Sequence, residues 1–278
     1  MEHLVVFCSP NGSTRFVASV IAGKLAELGN SVQVFDLGKR REREQAERRV
    51  LQKREPCCLW IGSPVYVDRP VPPVNRFISL IAPGGKCFAV PFVTWGGACS
   101  GIALHEMATM LQQKDCILLG AAKVLAVHSS MWQSPHPLGE GHPDESDADA
   151  VRRLAETIHE KLSRGLPPPL PLERLDYQPD HVKEQAVKKS IAMAKQLYPP
   201  LQVDTERCTC CGECAENCPV EAIVLNPYPQ VGEDCIMCLL CSRICPEAAM
   251  PMDLSSVEER IRLRAAESQE AKSTEVFL

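Results

Sequence analysis

Leu4-Val5-Val6-Phe7-Cys8-Ser9-Pro10-Asn11-Gly12-Ser13-Thr14 decides how the first half of this chain folds. A short continuous apolar run that ends in a Gly/Ser loop reads as a parallel strand buried on both faces. A helical pattern follows from about Phe16 to Leu28, and the unit of strand, loop and helix then repeats. Ser31 to Leu37 reads as a second strand and the highly charged Lys39 to Arg54 as a mostly solvated helix. Cys57-Cys58-Leu59-Trp60-Ile61-Gly62 makes a third strand, Val74 to Ile81 a helix, Cys87 to Thr94 a fourth strand, and Ile102 to Gln113 a helix. Cys116 to Val127 reads as a fifth strand and Ala148 to Leu162 as a last helix. Five strands with intervening helices predict an α/β fold, an open doubly wound five-stranded parallel sheet, over residues 1–165.

Gly165-Leu166-Pro167-Pro168-Pro169-Leu170-Pro171 cannot continue a helix and reads as a semi-rigid extended spacer, placing a domain boundary here. Residues 166–200 form a linker with a helix from Asp180, as its cap, to about Leu197, ended by Pro199-Pro200. Residues 201–252 form a second, small domain. In the tail, 253–278, Ser256 and Glu259 offer a capping box for a short helix of no evident role.

Eight of the fifteen cysteines fall into two copies of one spacing in that small domain, Cys208-x2-Cys211-x2-Cys214-x3-Cys218-Pro219 and Cys235-x2-Cys238-x2-Cys241-x3-Cys245-Pro246. A [4Fe-4S] cubane needs four converging thiolates, and a tight loop supplies three of them at two-residue gaps. In the bacterial two-cluster arrangement the fourth is lent by the other run. Cys208, Cys211, Cys214 and Cys245 are therefore assigned to one cluster, and Cys235, Cys238, Cys241 and Cys218 to the other. Zinc would leave ligands over, and disulfides would need an oxidising compartment, whereas Met1-Glu2-His3 leads straight into a strand without a signal peptide. Cys210 has no place in the spacing and reads as a spare thiol. The segment resembles bacterial dicluster ferredoxins, which implies a small α+β ferredoxin-like domain.

A doubly wound sheet binds its ligand at the carboxyl ends of its strands. There, Ser9, Asn11, Gly12, Ser13 and Thr14 combine small hydroxyl and amide side chains with free N–H groups at a helix N-terminus, which suits a phosphate monoester. The spacing is neither a dinucleotide fingerprint nor a P-loop, and a Ser/Asn/Gly turn by itself is often only a cap. Gly62-Ser63-Pro64-Val65-Tyr66-Val67 and Thr94-Trp95-Gly96-Gly97-Ala98 place an aromatic residue beside small ones at the same edge, able to sandwich a flat ring. Together the three loops point to bound flavin mononucleotide, FMN.

These loops resemble those of flavodoxins, and a flavodoxin joined to a C-terminal dicluster ferredoxin resembles the EFR family of flavodoxin–ferredoxin fusions found in anaerobes. The resemblance implies a flavodoxin-like sheet and non-covalent FMN, with its phosphate at Ser9, Asn11, Gly12, Ser13 and Thr14 and its ring near Tyr66, Trp95, Gly96 and Gly97; Ser63, Pro64, Val65 and Thr94 of the same loops complete the cofactor-binding set. Pro10 departs from a full cradle because it lacks an N–H, and Arg15 could compensate by charge.

Apolar residues make up 45% of the 278-residue chain, which argues against disorder, and no run reaches the length of a membrane span. The net charge of −5 is uneven. Residues 1–165 carry +2 (19 basic, 17 acidic) and residues 201–252 carry −6 (2 basic, 8 acidic), so nucleic acid is an unsuitable partner for the small domain; the opposite signs could help the halves dock, could steer an external partner, or could be an ordinary solvated acidic surface. Clusters pass single electrons and flavin holds one or two. The chain thus reads as an electron-transfer protein passing electrons between a ferredoxin-like donor, its clusters, FMN and a redox partner protein, with no sign of a nicotinamide-binding domain. A flavin-dependent reductase of a small molecule remains an alternative, with His128, His136 or His142 as proton donors, though such a loop is more often a surface excursion; a redox sensor lacks any signalling module. Cys8, Cys57, Cys58, Cys87, Cys99 and Cys116 read as small core residues. The cluster type and free thiols suit a reducing anaerobic cytoplasm, and the spacer would allow contact within one chain or across a homodimer.

Overall fold

A computed structural model describes residues 1–52, 57–84, 87–165 and 168–278. The chain order is β1 (Glu2–Phe7), α1 (Ser13–Glu27), β2 (Ser31–Asp36), α2 (Arg40–Leu51), β3 (Cys57–Tyr66), β4 (Arg69–Pro70), α3 (Pro72–Ser79), β5 (Cys87–Trp95), α4 (Ala103–Gln112), β6 (Ile117–Leu118), β7 (Ala121–Leu125), α5 (Glu145–Ser163), α6 (Asp180–Lys188), α7 (Ile191–Lys195), α8 (Glu213–Glu216), β8 (Ile223–Leu225), β9 (Pro229–Val231), α9 (Leu240–Ile244), α10 (Ser255–Glu267) and β10 (Glu275–Phe277). The main sheet runs β2-β1-β3-β5-β7 in parallel, the flavodoxin-like order, and β10 pairs antiparallel with β7. Pairing sets Phe7 opposite Asp36 and Gly62, and Pro64 opposite Thr94, so the loops after β1, β3 and β5 open at one edge.

Strand alternation builds the core on both faces. Leu4, Val6, Leu59 and Ile61 pack with α3 and α4 on one side, while Val5, Phe7 and Trp60 pack with α1 and α5 on the other. All are 3% exposed or less, which is why these strands read as continuous apolar runs. Cys8, Cys57, Cys58, Cys99 and Cys116 are buried and Cys87 is partly so.

Four expectations need correcting. The fifth strand is not continuous: it breaks at Leu119-Gly120, where a Cβ on Gly120 would lie 3.0 Å from the Phe277 carbonyl oxygen and 3.1 Å from Ile158 and Leu154. The returning tail needs that space. The single helix from Asp180 to Leu197 is two helices, because Lys189 is extended and Ser190 starts the second by accepting a bond from the Met193 amide at 3.2 Å; Asp180 is the first helical residue, not the cap. The Ser256/Glu259 capping box is absent, since α10 begins at Ser255 and Asp253 takes the Ser255 amide (3.0 Å) and hydroxyl (2.6 Å). The described part of the spacer is bound rather than free: the Leu170 amide donates to the Leu118 oxygen at 2.7 Å, Leu175 is buried, and Tyr177 stacks on Phe277 with ring centroids 5.7 Å apart. Leu166, Pro167 and the expected end of α2 at residues 53–54 lie outside the described residues.

The small domain repeats itself. Cys210 and Met237, Gly212 and Leu239, and Glu221 and Ala248 occupy matching places in the two cysteine runs, and all six have positive φ. Only one of the six is a glycine, so both loops hold strained left-handed turns at equivalent steps. The β8-β9 hairpin lies between the runs. Among the described residues no helix is long and apolar enough to cross a membrane.

Candidate functional site

Two small cavities in the second domain separate the eight motif cysteines into the sets expected from crossed ligation. Cys208, Cys211, Cys214 and Cys245 line one, and Cys218, Cys235, Cys238 and Cys241 line the other. Each crossing thiol receives a backbone N–H from four residues on, Ala222 to Cys218 Sγ and Ala249 to Cys245 Sγ, both at 3.2 Å. Burial pushes the Cys238 and Cys241 thiols up to about 12, so only a bound metal centre would hold them as thiolates at neutral pH. A zinc ion with Zn–S of about 2.3 Å would draw its four sulfurs to within about 4 Å of one another. Among the described residues the only group of three or more potential ligands that close, within 4.8 Å, is His142, Asp144 and Asp147. No three cysteine sulfurs of either set lie that close together. The His142 group is a helix cap: Asp147 accepts from His142 Nδ1 at 2.6 Å and from the Asp144 amide at 2.8 Å, and it also takes the Thr274 hydroxyl.

The third site is a cavity of about 290 Å³ at the carboxyl edge of the main sheet. Ser9, Asn11, Ser13 and Thr14 line one end, and Pro64, Val65, Tyr66, Thr94, Trp95 and Gly96 line its walls. Thr14 and Thr94 share a 2.8 Å hydroxyl contact, and Asn11 Nδ2 donates to the Tyr66 hydroxyl at 2.7 Å, tying the first loop to the other two. Three residues expected at the ligand do not line the cavity. Ser63 is wholly buried and braces its own loop, donating to the Pro64 oxygen at 2.8 Å and accepting from the Val71 amide at 3.0 Å. Gly12 (φ 92°) and Gly97 (φ 71°) instead provide the positive φ that their turns require. Trp95 is 1% exposed, with the Lys123 ammonium 5.2 Å from its ring, and its buried Nε1 has no hydrogen-bond partner, a donor that an acceptor-bearing ligand would satisfy.

The roof of this cavity was not foreseen. It comes from Lys189, Ile191, Ala194, Leu197 and Tyr198 before the cysteine domain, Ile236 and Met237 within it, and Val257, Arg260, Ile261 and Arg264 after it. The spacing of Val257, Ile261 and Arg264 on one face of α10 was the available signal, but nothing in the sequence says what that face covers. Of the three loop histidines only His128 lines the cavity, and burial lowers its pKa to about 4, leaving it neutral. A Cβ on Gly96 would meet it at 2.6 Å, so glycine is what lets the imidazole approach. His136 is exposed and His142 is taken up by the cap.

Docking of the halves uses the uneven charge. Arg43 and Arg40 of α2 reach Glu221 of the acidic domain at 2.6 and 3.8 Å, and Lys195 bonds the Glu233 oxygen. These pairs are partly exposed and contribute at most about 1 kcal/mol each. The apolar part is larger: Val220, Ile236, Cys238 and Leu240 pack in one cluster with Cys8, Leu37, Val65 and Tyr66.

Residues 201–224 match the family described as 4Fe-4S binding domain. A search of curated protein sequences finds no match. Among solved structures, a flavodoxin from the domain Archaea is 18% identical over 59% of this chain and 99% of that one, with a TM-score of 0.44. Rubredoxin oxygen:oxidoreductase from Desulfovibrio gigas is 18% identical over 59% of this chain and 36% of that one, with a TM-score of 0.46. An NADH:FMN oxidoreductase in its apo form is 13% identical over 57% of this chain and 88% of that one, with a TM-score of 0.42. The chain carries a C-terminal 4Fe-4S binding domain behind an α/β domain of flavodoxin-like strand order.

Proposed function

We propose that the chain is an electron-transfer protein holding two [4Fe-4S] clusters on its eight motif cysteines and FMN in the sheet-edge cavity. The clusters would supply one-electron transfer and the flavin a store of one or two electrons. One observation carries this reading: Ile236 and Met237 sit between the ligands Cys235 and Cys238 and also line the sheet-edge cavity, so the second cysteine set abuts the flavin cavity with no element between. The roof residues cover part of the cavity. Cys211 and Cys210 of the first run are exposed, and that end is the face a protein donor would meet.

The partners in this reading are a ferredoxin-like donor at the exposed run and an acceptor protein served from the same chain. In stopped-flow mixing, a reduced ferredoxin should bleach the iron–sulfur absorbance first and the flavin absorbance afterwards, while NADH alone should reduce neither quickly. Rapid NADH reduction of the flavin in cluster-free protein would defeat the carrier reading. A second reading, reduction of a small molecule inside the cavity, is favoured by the roof and by the position of His128, the one loop histidine that lines it; neutral, with Nδ1 accepting from the Ser130 amide, it would orient a ligand through Nε2–H and not act as a proton donor. It predicts that His128→Ala leaves ferredoxin-driven flavin bleaching intact but removes turnover of a small acceptor.

A further inference from the structure

The geometry points to Arg243 as the cation that holds the flavin's phosphate, supplied across the domain boundary by the iron–sulfur domain; this rests on the FMN reading of the cavity. A phosphate monoester carries about −1.5 to −2 charge at neutral pH and needs a cation or a full set of N–H donors. The cradle Ser9–Thr14 is short of both, since Pro10 has no N–H and the loop itself holds no charged residue.

Arg15, the nearest cation in sequence, does not fill the gap. Its guanidinium is held by Asp36 at 2.8 Å, and its backbone amide donates to Ser9 Oγ at 2.9 Å. Arg40 and Arg43 are turned to Glu221. Arg243 remains. It lies on α9, between the motif cysteines Cys241 and Cys245, and its Nη1 donates to Asn11 Oδ1 in the cradle. Asn11 bonds Tyr66 through its other side-chain atom, so the contact joins the iron–sulfur domain to the phosphate end and to the ring wall at once. Arg243 makes no ion pair among the described residues, although residues 201–252 hold eight acidic residues and only one other basic residue, Arg207. A guanidinium without a carboxylate partner among the described residues, brought to the cradle residue Asn11 by an otherwise acidic domain, suits a phosphate contact.

FMN is then preferred over riboflavin because of a residue outside the flavodoxin-like domain, and the preference depends on the iron–sulfur domain being folded. The test titrates full-length, iron-loaded protein with FMN and with riboflavin. Arg243→Ala should weaken FMN binding about tenfold, the low end for a hydrogen bond to a charged group at a solvated site, and leave riboflavin binding within about twofold. Arg243→Lys should keep part of the preference, and added salt should weaken FMN binding more in the wild type than in Arg243→Ala. Unchanged iron content shows that each variant is folded. Equal losses for both flavins, or no loss for either, would overturn the role of Arg243 while leaving the FMN reading standing. A wild-type protein that binds neither flavin would overturn both.

Discussion

Glu270→Ala should destabilise the chain by about 3 kcal/mol, the lower end of the cost of removing one partner from a buried ion pair. Glu270 sits in the tail after α10 and accepts from Lys123 Nζ at 2.7 Å, and the two side chains are 8% and 1% exposed. Its carboxylate also takes the Ser100 amide at 2.9 Å, the Ser100 hydroxyl, and Gln178 Nε2 at 3.1 Å. Burial alone would raise the Glu270 pKa, but the Lys123 ammonium and the Lys123 and Ser100 hydrogen bonds outweigh it and hold the carboxyl below its ordinary value. Removing the carboxylate leaves Lys123 with the more exposed Glu275 at 3.2 Å and the faces of Trp95 and Tyr177 at 5.2 and 4.7 Å. Those contacts offset part of the loss, which is why the lower end of the range applies. For a chain of this size about 3 kcal/mol corresponds to a fall in Tm of about 6–12 °C. The assay is thermal unfolding of flavin-saturated, iron-loaded protein, so that bound ligand contributes equally to wild type and variant. Lys123→Met combined with Glu270→Gln should recover most of the loss, because neither the new amide nor the thioether is a buried charge without a partner. A Glu270→Ala protein that melts with the wild type, or a double variant as unstable as the single one, would refute the reasoning.

Cys218→Ser should spoil the cluster held by the second run and Cys245→Ser that of the first, each lowering iron from about eight to about four atoms per chain; iron analysis with spectroscopy of the surviving cluster decides it, and one zinc per chain would defeat the assignment. Ser9→Ala with Thr14→Ala should weaken FMN retention without changing iron content, and mass spectrometry of the extracted flavin should find FMN and not FAD. His3 is 1% exposed and its pKa is lowered to about 4, chiefly by burial and then by the N-terminal charge. The unfolded chain therefore takes up a proton at His3 near pH 6.5 that the folded one refuses, so stability falls as pH drops from about 6.5 toward 4, by about 2 kcal/mol between pH 7 and 5. Denaturant unfolding should show a shallower slope in that interval for His3→Gln.

The parallel strands and both cysteine runs were legible because each rests on local pattern: an apolar run that ends in a small-residue loop, and thiols at fixed gaps. The cradle and walls were legible for the same reason, since Ser9, Asn11, Thr14, Tyr66 and Trp95 lie in loops that the sheet order brings to one edge. Ser63, Gly12 and Gly97 shared those loops, but the Ser63 side chain turns into the brace and the two glycines serve the positive φ of their turns. Most of what failed was decided by contacts distant in sequence. The break at Gly120 depends on Phe277, and the split of the 180–197 helix comes where Lys189 turns to pair with Asp68. Arg15 looked like the natural cation for the cradle until Asp36, opposite Phe7 on the neighbouring strand, took it.

The tail changes how the two halves must be regarded. A single proline-rich tether would leave the cysteine domain at a high effective concentration but free to visit many poses. Here the segment before that domain lies on the main sheet through Leu170 and Leu175, and the segment after it returns to extend the sheet as β10. The domain is thus a loop-like insertion fixed at both ends, and α7 and α10, its two flanks, both close over the cavity. Fixing both ends limits the poses that Ile236 and Met237 can take relative to the cavity, and the proposed electron transfer over a short gap would need that restriction more than it would need affinity. The same constraint explains why a buried Lys123–Glu270 pair, weak as a source of net stability, is worth keeping: it is satisfied only when the tail is seated in one register, and so it selects the closed arrangement over looser ones.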